Sequence, residues 1–220
     1  MVSTKAIAVV LDILKRERKK FQVPALTELA ELTKDPFKVL ISCILSLRTK
    51  DAVTMEASKR LYALADDVYV MSKLDAKQIA EAIYPVGFYK TKAKRILEIC
   101  NRLIDEYDGK VPADFHELLK FKGVGKKTAA ITMTYGFRNN NFIAVDTHVH
   151  RLSNRLGWAK TKTPEETMDT LMKIVPKNYW IDINDLFVQF GQHVCVPVSP
   201  WCSRCSISKH CLKFGVKRRR

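Results

Sequence analysis

The stretch FKGVGKKTAAI, Phe121 to Ile131, sets two glycines around a valine and places two lysines at the start of a run with helical character. A triphosphate-binding P-loop, G-x-x-x-x-G-K-[ST], needs a glycine five positions before Gly125 and Ser or Thr after the first lysine. Lys120 and Lys127 stand at those places, so the stretch is not a nucleoside-triphosphate loop. Working outward, helix signals lie on both sides. Asp114-x-x-Glu117 and Thr163-Pro164-x-Glu166 read as capping boxes, and Asp35-Pro36 as an N-cap followed by proline at the first helical position. Breaks fall at Val23-Pro24, Tyr84 to Gly87, Gly109 to Pro112, Gly136 to Asn141 and Pro176. Strand signals are almost lacking, and the pattern predicts an all-α fold of roughly ten helices.

Composition narrows the partners. A chain of 220 residues can bury a core and form one large or two small domains. Thirty-eight Lys and Arg against 23 Asp and Glu leave a net charge of +15 and a pI near 9.6, which favours polyanions, nucleic acid first. A membrane is the rival, but the longest apolar run, VLISCILSL (Val39 to Leu47), falls short of the ~20 residues of a span. The opening MVSTKAIAVVLDILKRERKK breaks its apolar run at Asp12, too early for a secretory segment. It reads as an amphipathic helix of an intracellular protein whose cysteines stay reduced. The basic run Lys217 to Arg220 reads as a solvated tail.

Cys195, Cys202, Cys205 and Cys211 fall within 17 residues as C-x6-C-x2-C-x5-C, while Cys43 and Cys100 sit alone in apolar helical pattern and read as core. Four thiols so close in a reducing compartment point to a metal centre rather than disulfides. The spacing matches neither the paired C-x2-C of zinc ribbons nor the two-cluster ferredoxin run, and by itself leaves zinc and [4Fe-4S] equally open.

That cysteine pattern, together with GVGKKTA (Gly123 to Ala129) and VDTHVHRLSNRLG (Val145 to Gly157), resembles the endonuclease III family of DNA glycosylases. LISCILSLRTKD (Leu40 to Asp51) and PVGFYKTKAKRI (Pro85 to Ile96) extend the resemblance over nearly the whole chain. The resemblance implies two helical lobes with a DNA cleft between them. One is a six-helix barrel, residues 29–139, with a helix-hairpin-helix at about 116–135; the other joins residues 1–28 to 140–220 and carries the loop 195–211. It further implies a monomer acting on double-stranded DNA with a damaged base or an abasic site, no membrane association, and a [4Fe-4S] cluster held by the four cysteines.

Within the family, Gly123 and Gly125 form the hairpin turn whose backbone grips a DNA phosphate, a contact that gives affinity and register but no base information. Lys127 matches the nucleophile that attacks C1′, expels the base and leaves a Schiff base for β-elimination. Attack needs the neutral amine, and a neighbouring cation, Lys126, and the positive end of a helix dipole suit that need. Lys126 and Lys122 are expected to face phosphate. Asp146 matches the catalytic aspartate, whose charge stabilises the oxocarbenium character of the sugar, and it is placed to cap the helix from Thr147 as well. An enzyme acting on a base must take it out of the stack and fill the gap. Arg48 and Phe88 stand at the gap-filling and wedging positions, where many relatives have glutamine and leucine. Asp51, Tyr89 and His148 match positions that line the base pocket or order the site. His148 and His150 lack further ligands nearby and read as packing or hydrogen-bonding residues, not a metal pair.

The function these residues imply is a bifunctional glycosylase and abasic-site lyase acting on oxidised pyrimidines. Two alternatives remain: a monofunctional mismatch or adenine glycosylase of the same fold, where Ser or Tyr typically replaces the lysine, and a non-catalytic iron–sulfur module that binds DNA or senses redox state.

Overall fold

The computed structural model describes residues 2–21, 28, 33 and 35–220, and among them no strand occurs. The break expected at Val23-Pro24 lies outside the described residues. The α-helices are α1 (Thr4–Glu17), α2 (Pro36–Ser46), α3 (Asp51–Leu64), α4 (Val68–Ser72), α5 (Ala76–Ile83), α6 (Tyr89–Tyr107), α7 (Phe115–Leu119), α8 (Lys126–Ile131), α9 (Thr147–Leu156), α10 (Pro164–Ile174) and α11 (Ile183–His193). The chain divides into two compact units, Met1–Pro24 with Asn140–Arg220, and Ala25–Asn139. No helix among the described residues is long and apolar enough to cross a membrane.

In the unit Ala25–Asn139, the apolar run of the sequence becomes α2. Asp35 Oδ1 accepts the Phe37 N–H at 2.8 Å, Pro36 opens the helix, and Phe37 and Val39 through Leu45 are all buried. A helix apolar on every side belongs at the centre of a bundle. It packs against α3, α6, α8 and the π turn Thr132–Gly136. Cys43 and Cys100 are buried here, and burial pushes both thiols up to about 12, as inert core cysteines. Helix α6 turns Ala93, Ile96, Ile99, Cys100 and Leu103 inward, and it closes at Asp108 and Gly109, both with positive φ.

In the other unit, α1 buries Ile7, Val10, Leu11 and Leu14 on one stripe against α11, as its amphipathic pattern predicts. Tyr179 donates to Asp12 Oδ1 at 2.8 Å, and Lys15 pairs with Asp182 at 2.7 Å, tying α1 to the segment before α11. Helix α9 packs on α10 and α11, and Leu152, Phe187 and Phe190 of this unit are buried.

Two of the expected capping boxes are only half formed. Asp114 accepts from the His116 and Glu117 amides, but Glu117 turns to Tyr107 and Lys120 instead of reaching back. Thr163 accepts from the Glu166 amide, while Glu166 takes the Lys162 N–H one residue further out. The reciprocal box forms at Asp75 and Gln78, at the start of α5.

Candidate active site

The opening stretch is a helical hairpin: α7, a turn through Phe121–Gly125, and α8, with α7 and α8 in contact. Phe121 and Val124 are buried and anchor the turn, whose Val124 N–H bonds the Phe121 carbonyl at 3.0 Å. Gly123 has φ +88°, and a Cβ there would press on the Arg95 side chain at 3.1 Å, so the position asks for glycine. Gly125 is the N-cap of α8, has open space before it, and offers no side chain to cap the helix. No side chain of the N-cap residue covers this helix start, the setting in which a helix N-terminus takes an anion.

Lys126 and Lys127 are half-buried in the first turn of α8, while Lys122, Gly123 and Gly125 are exposed. The Lys127 charge reaches the buried Cys43 thiol of α2, partly opposing the rise that burial imposes there. Lys127 therefore stands on the α2 side of the hairpin.

Arg48 and Phe88 come together. Both take positive φ, 55° and 57°, and the guanidinium lies 5.8 Å from the phenyl centroid. Phe88 is 64% exposed, so it is not a core aromatic. With Gly123, Arg95 and Lys92 they line one pocket between the start of α6 and the loop after α2. Asp51 and Tyr89 are not among its lining residues. Asp51 opens α3, and the half-buried Tyr89 packs edge-on to Tyr84 at 5.3 Å.

Asp146 caps α9, its Oδ1 accepting the His148 and Val149 amides at 2.8 Å each. His148 Nδ1 lies 3.1 Å from Arg151 Nη2, and His150 Nδ1 lies 2.6 Å from Thr167 Oγ1, so both imidazoles are hydrogen-bonded, as the sequence predicts.

Cys195, Cys202, Cys205 and Cys211 line one pocket walled by Leu152, Leu156, Phe190, Val194, Trp201 and Ile207. Among the described residues no group of three or more His, Cys, Asp or Glu is gathered tightly enough to hold a single metal ion. The thiols are instead spread around a shared space. Burial pushes Cys205 up to about 11, and the charges of Cys195, Cys211 and Cys202 add to the rise. Such a thiol resists standing as a bare thiolate and gains from a cationic centre beside it. Arg155 Nη1 donates to Cys195 Sγ at 3.3 Å, and the Lys213 amide donates to Cys211 Sγ at 3.3 Å, as suits sulfurs that carry negative charge. Four sulfurs lining one pocket are the soft donor set that a zinc ion or an iron–sulfur centre takes.

The basic run at the end is not simply solvated. Arg220 donates its amide to Pro200 O and its Nε to Ser199 O, and its guanidinium lies 3.7 Å from the Trp201 ring centroid, with Arg204 4.2 Å from the same centroid. The flat Trp201 face and the carbonyls of Ser199 and Pro200 draw Arg220 down, neither of which a charge pattern reveals.

Two cations escape the sequence reading. Arg155, nearly buried, also donates to the carbonyls of Val196 at 2.8 Å and Pro197 at 2.6 Å, so it staples the cysteine loop to α9. Lys92 is buried at the start of α6. Its signal is faint but present, since position 92 falls on the stripe of Ala93, Ile96, Ile99, Cys100 and Leu103.

Residues 41–177 match the HhH-GPD superfamily base excision DNA repair protein family. The chain is similar to Endonuclease III of Thermotoga maritima, 46% identical over 177 residues, which cover 80% of this chain and 83% of that one. It is 43% identical over 171 residues to the Endonuclease III-like protein 1 of Mus musculus, spanning 77% of this chain but only 57% of the mouse protein. Among solved structures it is similar to endonuclease III in a trapped covalent intermediate with DNA, with a TM-score of 0.84, 32% identity and 97% of each chain covered.

Proposed function

The chain belongs to the HhH-GPD superfamily of base excision DNA repair proteins and, within it, to the endonuclease III family, and from that premise we propose a bifunctional glycosylase that removes oxidised pyrimidines from duplex DNA and nicks the abasic site. The observation that carries this reading is Lys127, a half-buried amine in the first turn of α8, directly behind a glycine turn that suits a DNA phosphate. The hairpin would hold the backbone of the damaged strand through the amides near Gly123 and Gly125, with Lys122 and Lys126 adding charge.

The base leaves as the Lys127 nitrogen bonds to C1′. Loss of the ring oxygen from C1′ then gives an open-chain imine, and removal of a C2′ proton expels the 3′-phosphate by β-elimination. Asp146 would supply the negative charge that the oxocarbenium-like sugar needs. Its second duty as the cap of α9 fixes that carboxylate in place. Arg48 and Phe88 would occupy the gap left by the extruded nucleotide, with Asp51, Tyr89 and His148 ordering the surroundings. A covalent link between endonuclease III and DNA in a structural relative supports the lysine chemistry.

Cys195, Cys202, Cys205 and Cys211 would hold a [4Fe-4S] cluster, which when bound fixes the fold of their loop and presents its basic residues. The protein would work as a monomer in a reducing compartment that keeps those thiols available.

A panel of duplexes, each with one lesion and scored separately for base release and strand nicking, tests the reading. Release of oxidised pyrimidines with nicking at the same site is expected. Release without nicking would replace it with a monofunctional glycosylase, and binding with neither would leave a non-catalytic DNA-binding module.

A further inference from the structure

Lys92 is 7% exposed, yet among the described residues no carboxylate pairs with it. Its Nζ donates to the carbonyls of Leu45 at 2.8 Å and Leu47 at 2.5 Å, and to Thr49 Oγ1 at 3.2 Å. These acceptors lie at the end of α2 and in the loop beyond it, where helix carbonyls run out of amide partners. The ammonium of one helix thus closes the C-terminus of another.

The residues it holds flank Arg48 on both sides. Thr49 Oγ1 also accepts the Gly87 N–H at 3.2 Å, and Gly87 has no room for a side chain, because a Cβ would meet the Arg48 carbonyl oxygen at 2.7 Å. Phe88 follows directly. Lys92, Thr49 and Gly87 therefore stitch the Arg48 loop to the Phe88 loop. Arg48 and Phe88 each sit in a left-handed conformation that side-chain-bearing residues rarely adopt and that persists only where the surroundings over-determine it. The stitching supplies that determination.

We propose that Lys92 is the positioning residue that presets Arg48 and Phe88 as a single wedge, so that discrimination between duplex with a base missing from the stack and intact duplex depends on it. The proposal rests on the reading of Arg48 and Phe88 as inserting side chains. Lys92 acts through the two loops: its three donors point at their backbone and at Thr49.

The test is a double-mutant cycle on the full chain, with affinity measured for a duplex carrying a tetrahydrofuran abasic-site analogue and for the intact duplex. Lys92→Met keeps the aliphatic stem and removes every donor. It is expected to weaken abasic-site binding roughly tenfold while changing intact-duplex binding less than about twofold. In the Phe88→Ala background the same substitution is expected to cost less than about a further twofold, since the wedge is already lost. Equal losses on both duplexes, full additivity with Phe88→Ala, or no loss would each overturn the proposal. If Lys92→Met does not fold, Thr49→Val decides: it removes the link to Gly87, and a selective loss of about threefold supports the proposal, while an unselective loss or none overturns it. A wild-type chain that binds both duplexes equally would remove the functional reading, and the role of Lys92 with it. A discriminating wild type with an unaffected Lys92→Met would remove the role of Lys92 alone.

Discussion

Arg155 Nη1 lies 3.3 Å from Cys195 Sγ, and the same side chain donates to the carbonyls of Val196 and Pro197. At the other end of the loop, the Arg155 backbone carbonyl accepts from the Phe214 amide at 3.2 Å, three residues after Cys211. One residue of α9 thus ties down both ends of the cysteine loop. Arg155→Met leaves the Val196 and Pro197 carbonyls without their donor, a loss of about 1–3 kcal/mol. Lower thermal stability and fewer irons per chain are expected, read by calorimetry, metal analysis and visible absorbance. Wild-type protein should be brown with close to four irons, on the [4Fe-4S] reading. A colourless wild type with one zinc, or an Arg155→Met protein with full iron and unchanged stability, would contradict this account.

The excess of cations makes a prediction about salt. A surface that grips about 4–6 phosphates should lose affinity with a log–log slope of roughly −0.9 for each contact. Titrations of duplex binding between 50 and 200 mM salt measure the slope directly. Lys122→Gln and Lys126→Gln should each flatten it by about one contact and leave lesion preference unchanged. Binding indifferent to salt would separate the +15 charge from DNA altogether.

Much of this was legible in the sequence because it is written locally. Asp35, Asp114, Asp146 and Thr163 all cap the helices that follow them, as short polar side chains before apolar periodicity should. The hairpin was marked by glycines, one of which needs a left-handed φ. Cys43 and Cys100 were placed in the core by helical spacing alone. What stayed hidden depends on distant partners. In YKTKAKR, Lys92 looks like one more solvated cation, and only the open end of α2, 45 to 47 residues back, makes it a buried cap. Arg155 and Arg220 find backbone carbonyls of the cysteine loop, which carry no sequence signature. Glu117 abandons its box because Tyr107 arrives from α6.

Lys92 also predicts a pH effect. Burial lowers its pKa from 10.5 to about 8. Below pH 8 the folded and unfolded chains are both protonated there, and the cost of the buried charge is fully present. Between about 8 and 10.5 the unfolded chain holds the proton that the folded chain has lost, so this group's contribution to stability improves as pH rises, by at most about 1.4 kcal/mol per pH unit. The stability of wild type relative to Lys92→Met, compared at pH 7.5 and 9.5 by denaturant unfolding, should therefore shift toward wild type at the higher pH. Other titrations cancel in the difference. A flat difference would mean that the fold does not lower the Lys92 pKa, and one of opposite sign that the fold raises it.

The cap formed by Asp146 lets its charge be separated from its structural duty. Asparagine is an equally good N-cap and retains an oxygen for the His148 and Val149 amides, so Asp146→Asn should fold with nearly unchanged stability. Base release should still slow by roughly 10²–10³, the scale of losing one electrostatic stabiliser. Asp146→Ala loses both functions and should melt earlier, by about 1 kcal/mol. Single-turnover base release and thermal melts on the two variants distinguish the roles. Equal rates for Asp146→Asn and wild type would reduce the aspartate to a cap.

The two lysines of the hairpin can be told apart by a covalent trap. A Schiff base is reduced by borohydride to a permanent amine link, so reagent added during turnover should join protein to damaged DNA, and digestion should place the link on Lys127. Lys127→Gln keeps length and polarity without a nucleophile. It should abolish trapping and nicking together while leaving phosphate-driven binding close to wild type, because the grip comes from the turn at Gly123–Gly125 and its neighbours. Lys126→Gln should do the reverse on DNA, weakening binding by one charge while trapping persists. A link that maps to Lys126, or that survives in Lys127→Gln, would take the chemistry away from Lys127 and leave the hairpin with its grip alone.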